Sequence, residues 1–152
     1  MKKALIAMLL VALAIPGLAL AEEPPPVLKV GDTVTEFNVQ DLDGNKVNLL
    51  KAFDSDKAII SFMNSSCTAC LSELKMASSL AKEKNTALLI VSVDMTAGRL
   101  GIYLERNRLE TGTMYHDPDF KTPQMFGFSF TPGLAVIDKA GKILYLKGGW
   151  ND

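Results

Sequence analysis

The chain has 152 residues, two cysteines, one histidine and a formal net charge of −1. Without a basic cluster it has no electrostatic footprint for nucleic acid, and two cysteines are too few for a multiply stapled secreted scaffold. No internal repeat or further biased segment divides it.

In chain order, Lys2 and Lys3 precede an apolar run from Ala4 to Ile15, a Pro16-Gly17 break and Ala19-Leu20-Ala21. That layout predicts a secretory signal, residues 1–21, cleaved after Ala21. Uncleaved, the stretch from Ala4 to Ala21 approaches spanning length and would be the only membrane attachment. Cleavage takes 21 of the 152 residues and leaves 131, enough for one domain with a hydrophobic core. With Lys2 and Lys3 gone, 14 basic residues face 17 acidic ones, a net charge of −3. Residues 22–29, opening on EEPPP, predict a short stiff tether, and residues 30–152 the folded domain. Export to the periplasm, or to the outer face of the membrane, is a setting in which disulfides persist.

Phe37, Val39 and Leu42 are spaced for a short strand, and the Asp43-Gly44 turn signal leads to Val47 and Leu49. The apolar run from Ala58 to Met63 predicts a buried strand. Leu71, Leu74, Ala77, Leu80 and Ala81 then give one helical face, with Ser66 the expected N-cap and Asn85 the left-handed stop. Ala87 to Val93 predicts a second buried strand and Leu100 to Leu109 a helix. Thr113 to His116 predicts a short strand and Lys121 to Phe126 a short helix. Leu134 to Ile137 and Ile143 to Leu146 flank the Ala140-Gly141 turn as a final hairpin. Strands alternating with helices and ending in a hairpin imply an α/β fold with a mixed sheet.

The two cysteines, Cys67 and Cys70, lie in NSSCTACLSELK with two residues between them. As a structural clip the pair is poorly placed. Closing a loop of ~4 residues stabilises by about 2 kcal/mol, against nearly 5 for a ~100-residue loop. A structural zinc site needs four Cys or His ligands, and the chain offers only Cys67, Cys70 and His116. Those three could hold a soft ion such as copper(I), although His116, in YHDPD, reads more simply as a loop histidine. The redox reading suits the surroundings. A strand ends, a serine loop follows, and Cys67 falls at or near the first helical position, where unpaired N–H groups stabilise a thiolate. Cys70, nearly one turn on, is close enough to resolve a mixed disulfide.

Four segments resemble the thioredoxin-like family, specifically exported TlpA/ResA-type thiol–disulfide oxidoreductases: VGDTVTEFNVQDLDGNKVNL, AIISFMNSSCTACLSEL, DPDFKTPQMFGFSFTPGLAVID and KAGKIL. The resemblance runs from about Val30 to Leu146. It implies a thioredoxin-like fold, a mixed central sheet flanked by helices with an N-terminal hairpin extension. It also implies that Pro132 of Thr131-Pro132 is cis and faces the cysteines, and that Glu73 handles a proton at the buried thiol. The sequence departs from the family pattern in four places. Ser66 stands where an aromatic precedes the first cysteine, Thr68-Ala69 lacks the usual proline, and Lys75-Met76 lacks the helix-kinking one. The chain stops at Gly148-Gly149-Trp150-Asn151-Asp152, so no C-terminal helix is expected.

The expected activity is reduction of protein disulfides, with Cys67 as nucleophile, Cys70 as resolving thiol, Glu73 as base and Ser66, Thr131 and Pro132 shaping the substrate groove. The Cys67–Cys70 disulfide is the redox centre, without a further cofactor or metal. The resemblance implies protein thiol and disulfide substrates, including the haem-site cysteines of apocytochrome c, and a membrane thiol reductant as electron source. Two other readings stay open: a copper(I) module using the same cysteines, and an interaction domain that has lost efficient turnover. A peroxidase is disfavoured, because the cysteine lacks the upstream proline and threonine of the peroxiredoxin loop.

Overall fold

In the computed structural model, residues 27–94, 96–109 and 112–148 are described. The expected signal and most of the expected tether therefore lie outside the described residues, as do residues 149–152. Seven strands form one sheet: β1 (Asn38–Gln40), β2 (Lys46–Asn48), β3 (Lys57–Met63), β4 (Ala87–Ser92), β5 (Thr113–His116), β6 (Gly133–Asp138) and β7 (Ile143–Gly148). Their order is β2-β1-β5-β4-β3-β6-β7. The strands β3, β4 and β5 are mutually parallel, while β1, β6 and the hairpin partners run antiparallel. This is the mixed sheet expected, with β1–β2 as the added N-terminal hairpin.

Local chemistry explains the corners. Asp41 Oδ1 accepts from the backbone N–H groups of Asp43 (2.9 Å) and Asn45 (2.8 Å), so the β1–β2 turn is an Asx-stabilised loop. At the β6–β7 turn, Asp138 Oδ1 accepts from Ala140 and Lys142, both at 2.9 Å. Gly141 there adopts φ +84°, and a Cβ on it would come within 2.5 Å of the Val34 carbonyl oxygen. The N-terminal segment needs that close approach to lie against the hairpin.

Helix α1 (Thr68–Lys84) follows β3, α2 (Ala97–Arg106) follows β4, and the single-turn α3 (Lys121–Met125) follows β5. Asn85 ends α1 in the left-handed conformation expected of it, φ +49°, and Thr86 N donates back to Ala81 O at 2.9 Å. Its buried stripe is Cys70, Leu74, Ala77 and Ala81. Leu80, expected on that stripe, is 44% exposed. Helix α2 begins and ends three residues before its expected bounds. Arg108 turns left-handed at φ +54°, and Leu109 N closes the end on Leu104 O at 3.1 Å. Leu42 falls outside β1, in the hairpin turn.

Because side chains alternate along a strand, β3 supplies both cores. Ala58, Ile60 and Phe62 join Phe37, Phe126, Phe128, Tyr115 and Ile137 on one face. Ile59 and Met63 join Cys70, Leu74, Ala77, Leu100 and Leu104 beneath α1 and α2 on the other. Among the described residues β7 is the last element. The half of the second face beside β6 and β7 leaves Leu134 and Val136 half-buried, with Met76, Leu80 and Tyr145 exposed.

Candidate active site

The cysteines sit where β3 hands over to α1. Met63 ends the strand, residues 64–66 turn, and Cys67 is the N-cap of α1, one residue later than the expected cap at Ser66. The reason lies in the hydrogen bonds. Ser66 N donates to Asn64 Oδ1 at 3.0 Å, which holds Ser66 in the turn, whereas Cys67 Sγ accepts from Cys70 N at 3.0 Å, as an N-cap side chain does. The two sulfurs form a disulfide, with Cα atoms 5.2 Å apart. Cys67 is half-exposed, while Cys70 is 1% exposed.

The facing loop is positioned by strand register. β3 and β6 pair antiparallel up to Phe62 opposite Gly133. Two further steps in that register bring position 64 opposite 131. The Thr131-Pro132 bond is cis, Pro132 is buried, and Asn64 Nδ2 donates to Thr131 Oγ1 at 2.8 Å. Behind the proline, Gly133 and Gly148 make room for the Phe128 ring. A Cβ on either would lie 2.5 or 2.4 Å from it.

Of the sequence-expected residues, Cys67, Cys70, Ser66, Thr131 and Pro132 are gathered at this edge of the sheet. Glu73 lies one turn beyond Cys70 on α1, half-buried on the β7 side, and its Oε1 is buried without a hydrogen-bond partner. Burial pushes its carboxyl above the ordinary value, opposed by the charge of Lys147 on β7. His116 does not join the cysteines. It pairs with Ser92 on β4, which pairs with Met63 on β3, so two strand spacings, about 10 Å, separate it from the cysteine strand. The alternative copper set of Cys67, Cys70 and His116 is therefore not assembled, and no three His, Cys, Asp or Glu side chains group as metal ligands among the described residues.

Three residues at the site were not singled out from the sequence. Asn64 is one. Asp94, after β4, accepts from Ser65 N at 3.0 Å and Ser65 Oγ at 2.5 Å, bracing the loop from the other side. Phe130, beside Thr131, is 55% exposed. An Asn just after a strand and before two serines is an Asx-turn signal. Asp94 and Phe130 carry no comparable local mark.

A buried sulfur bonded to an accessible one at a helix N-terminus can pass its oxidation state to a partner without exposing both atoms. That asymmetric pair, on this sheet and opposite a cis-proline, is the working part of a thioredoxin-like thiol–disulfide oxidoreductase. The chain belongs to the Redoxin family, which matches residues 29–152. Solved structures similar to it include a candidate thiol:disulfide interchange protein, DsbE, from Chlorobium tepidum, with 25% identity, 82% of this chain and 88% of that one covered, and a TM-score of 0.65. The exposed lipoprotein thioredoxin Etrx1 of Streptococcus pneumoniae matches at 22% identity, 78% and 92% coverage and a TM-score of 0.61. A thiol:disulfide interchange protein from Bacteroides sp. matches at 21% identity, 79% and 82% coverage and a TM-score of 0.64. None of the curated proteins compared matches the chain.

Proposed function

We propose that the protein is exported and reduces disulfides in other extracytoplasmic proteins, with Cys67 as the attacking thiolate. The observation that carries this reading is the unequal exposure of the pair: Cys67 is reachable at the N-terminus of α1, and Cys70 is not. The N–H groups of the first helical turn favour the Cys67 thiolate over its thiol. That thiolate attacks one sulfur of a substrate disulfide. A Cys67–substrate bond forms, the substrate S–S bond breaks, and the other substrate sulfur leaves as a thiolate. Cys70, deprotonated, then attacks Cys67 Sγ, so the second substrate sulfur leaves and the Cys67–Cys70 disulfide closes. Two electrons have passed to the substrate, and a thiol reductant must return them.

Glu73 suits the proton of Cys70. It lies on the same helix face at i+3, and a carboxyl held above its ordinary value by burial is a better proton acceptor near neutral pH. Ser66, Thr131 and Pro132 line the approach to Cys67, with Phe130 as an apolar contact for a polypeptide substrate. Export is supported by the N-terminal signal pattern and by the likeness to an exposed lipoprotein thioredoxin. Reduction of apocytochrome c cysteines, with electrons from a membrane thiol protein, is the narrower form of the same reading.

Trapping tests the assignment. With insulin as disulfide substrate and dithiothreitol as reductant, Cys67→Ser should abolish turnover, and Cys70→Ser should accumulate a mixed disulfide through Cys67. Turnover retained in Cys67→Ser, or a covalent complex formed through Cys70, would overturn it. The equilibrium constant of the pair against glutathione gives the direction of flow, each 30 mV being about a tenfold change.

A further inference from the structure

We propose that Asn64 is a positioning residue for substrate docking. It ties the cysteine loop to the cis-proline loop and fixes the Thr131 hydroxyl as an acceptor, leaving the hydrogen of that hydroxyl for the substrate.

The argument starts from the amide itself. Its Oδ1 faces Ser66 N at 3.0 Å and Ser66 Oγ at 3.2 Å. A backbone N–H can only donate, so the atom opposite it must be the amide oxygen. The amide nitrogen is thereby turned to Thr131 Oγ1, 2.8 Å away across 67 residues of sequence. An NH2 group can only donate, so Thr131 Oγ1 must accept. The hydroxyl hydrogen is then not committed to Asn64, and among the described residues Thr131 Oγ1 has no acceptor for it, so it is left for a group arriving at the groove. The Asn64 main chain adds to the tie, because its carbonyl accepts from Cys67 N at 3.4 Å. One side chain and its own peptide thus touch the residue before Cys67, Cys67 itself and the residue before Pro132. Thr131 is only 9% exposed, so it is sheltered from the solvent competition that weakens surface hydrogen bonds.

The inference rests on the exchange reading above, and the two fail differently. Were that reading wrong, the wild-type protein would not turn over insulin at all. Failure of this one leaves wild-type turnover intact. The experiment measures KM and kcat for insulin reduction in Asn64→Ala, Thr131→Val and the double variant, with the melting temperature of each recorded. Each single change should raise KM about fivefold, the size of one neutral hydrogen bond. The double variant should rise no further than the stronger single one, because both changes break one tie. Effects that multiply to about 25-fold, or an unchanged KM alongside a lowered melting temperature, would overturn the proposal and leave Asn64 a structural residue.

Asn64→Asp is the second variant should Asn64→Ala not fold. Its carboxylate still accepts from Ser66 N but cannot donate, so Thr131 must turn its hydrogen toward residue 64. KM should rise as in Asn64→Ala although a bond between the two side chains persists. A KM equal to that of the wild type would sink the idea that the direction of this hydrogen bond matters. The added charge near Cys67 acts separately, as an upward shift of the pH at which kcat rises.

Discussion

One face of the sheet is packed with aromatic rings and closed. The other is packed with aliphatic side chains and two helices, and among the described residues half of it is open. On the first, Phe62 stands within 5.7–6.3 Å, centre to centre, of the rings of Phe37, Phe126 and Phe128. The β1–β2 hairpin, the turn at Leu49–Lys51 and α3 complete the cover. On the second, α1 covers β3 and β4 and carries Cys70, while Leu134 and Val136 of β6 remain half-buried and Glu73 has a carboxylate oxygen out of water without a partner. The difference separates two tasks. The aromatic face supplies rigid burial behind the cis-proline. The helical face tolerates an unsatisfied carboxylate oxygen one turn beyond the buried Cys70, a feature that costs stability.

The largest break in this comparison should come from Phe62→Ala. The ring is fully buried, and removing it leaves a cavity in a cluster that relaxes only partly, a loss of about 3–5 kcal/mol read as a lower urea midpoint. An effect below about 1 kcal/mol would mean that the aromatic face is not the main stabiliser. Gly133→Ala should come next, at about 1–3 kcal/mol. Its Cβ would meet the Phe128 ring at 2.5 Å, and the adjacent cis-proline loop has to move if the ring cannot. Insulin reduction should therefore fall along with stability, whereas Phe62→Ala should leave the activity of its folded fraction largely intact. Equal loss of activity per unit of stability in the two variants would erase the distinction between core and site.

How much of this was written in the sequence depends on whether a residue acts through its neighbours or across the sheet. The strands announced themselves by alternation and apolar runs, the hairpin turns by Asp-Gly and Ala-Gly, and the end of α1 by Asn85, because each is settled within a few residues. The cysteine pair was legible for the same reason. The early end of α2 was not, since Arg108 carries no glycine-like mark yet adopts φ +54°. Leu80 sat on a plausible stripe but faces the open part of the second face, because the burial of α1 follows Cys70, Leu74, Ala77 and Ala81. Asn64 and Phe130 were passed over for a topological reason. What they face depends on the antiparallel register that sets 62 opposite 133, and no local pattern states a register between segments so far apart in sequence.

The smallest effect belongs to Glu73→Gln, and its sign is the sharpest test of the second face. Burial raises the carboxyl of Glu73 in the folded protein, and Lys147 opposes but does not reverse this. Below the ordinary carboxylate range the group is protonated in both folded and unfolded chains, and it contributes no pH-dependent cost. As pH climbs through that range the unfolded chain ionises first, and the wild type loses stability until the folded carboxyl has ionised too. Glu73→Gln should therefore be the more stable protein at pH 7, by less than either loss above because the group is half-exposed. That advantage should vanish when the urea midpoints are compared near pH 3. On the role proposed for Glu73, the same variant should release substrate from the Cys67 mixed disulfide more slowly, since the proposed acceptor of the Cys70 proton is gone. Greater stability with slower resolution is what a strained functional group predicts. Lower stability at pH 7 would instead make Glu73 and Lys147 a stabilising ion pair and move proton handling elsewhere.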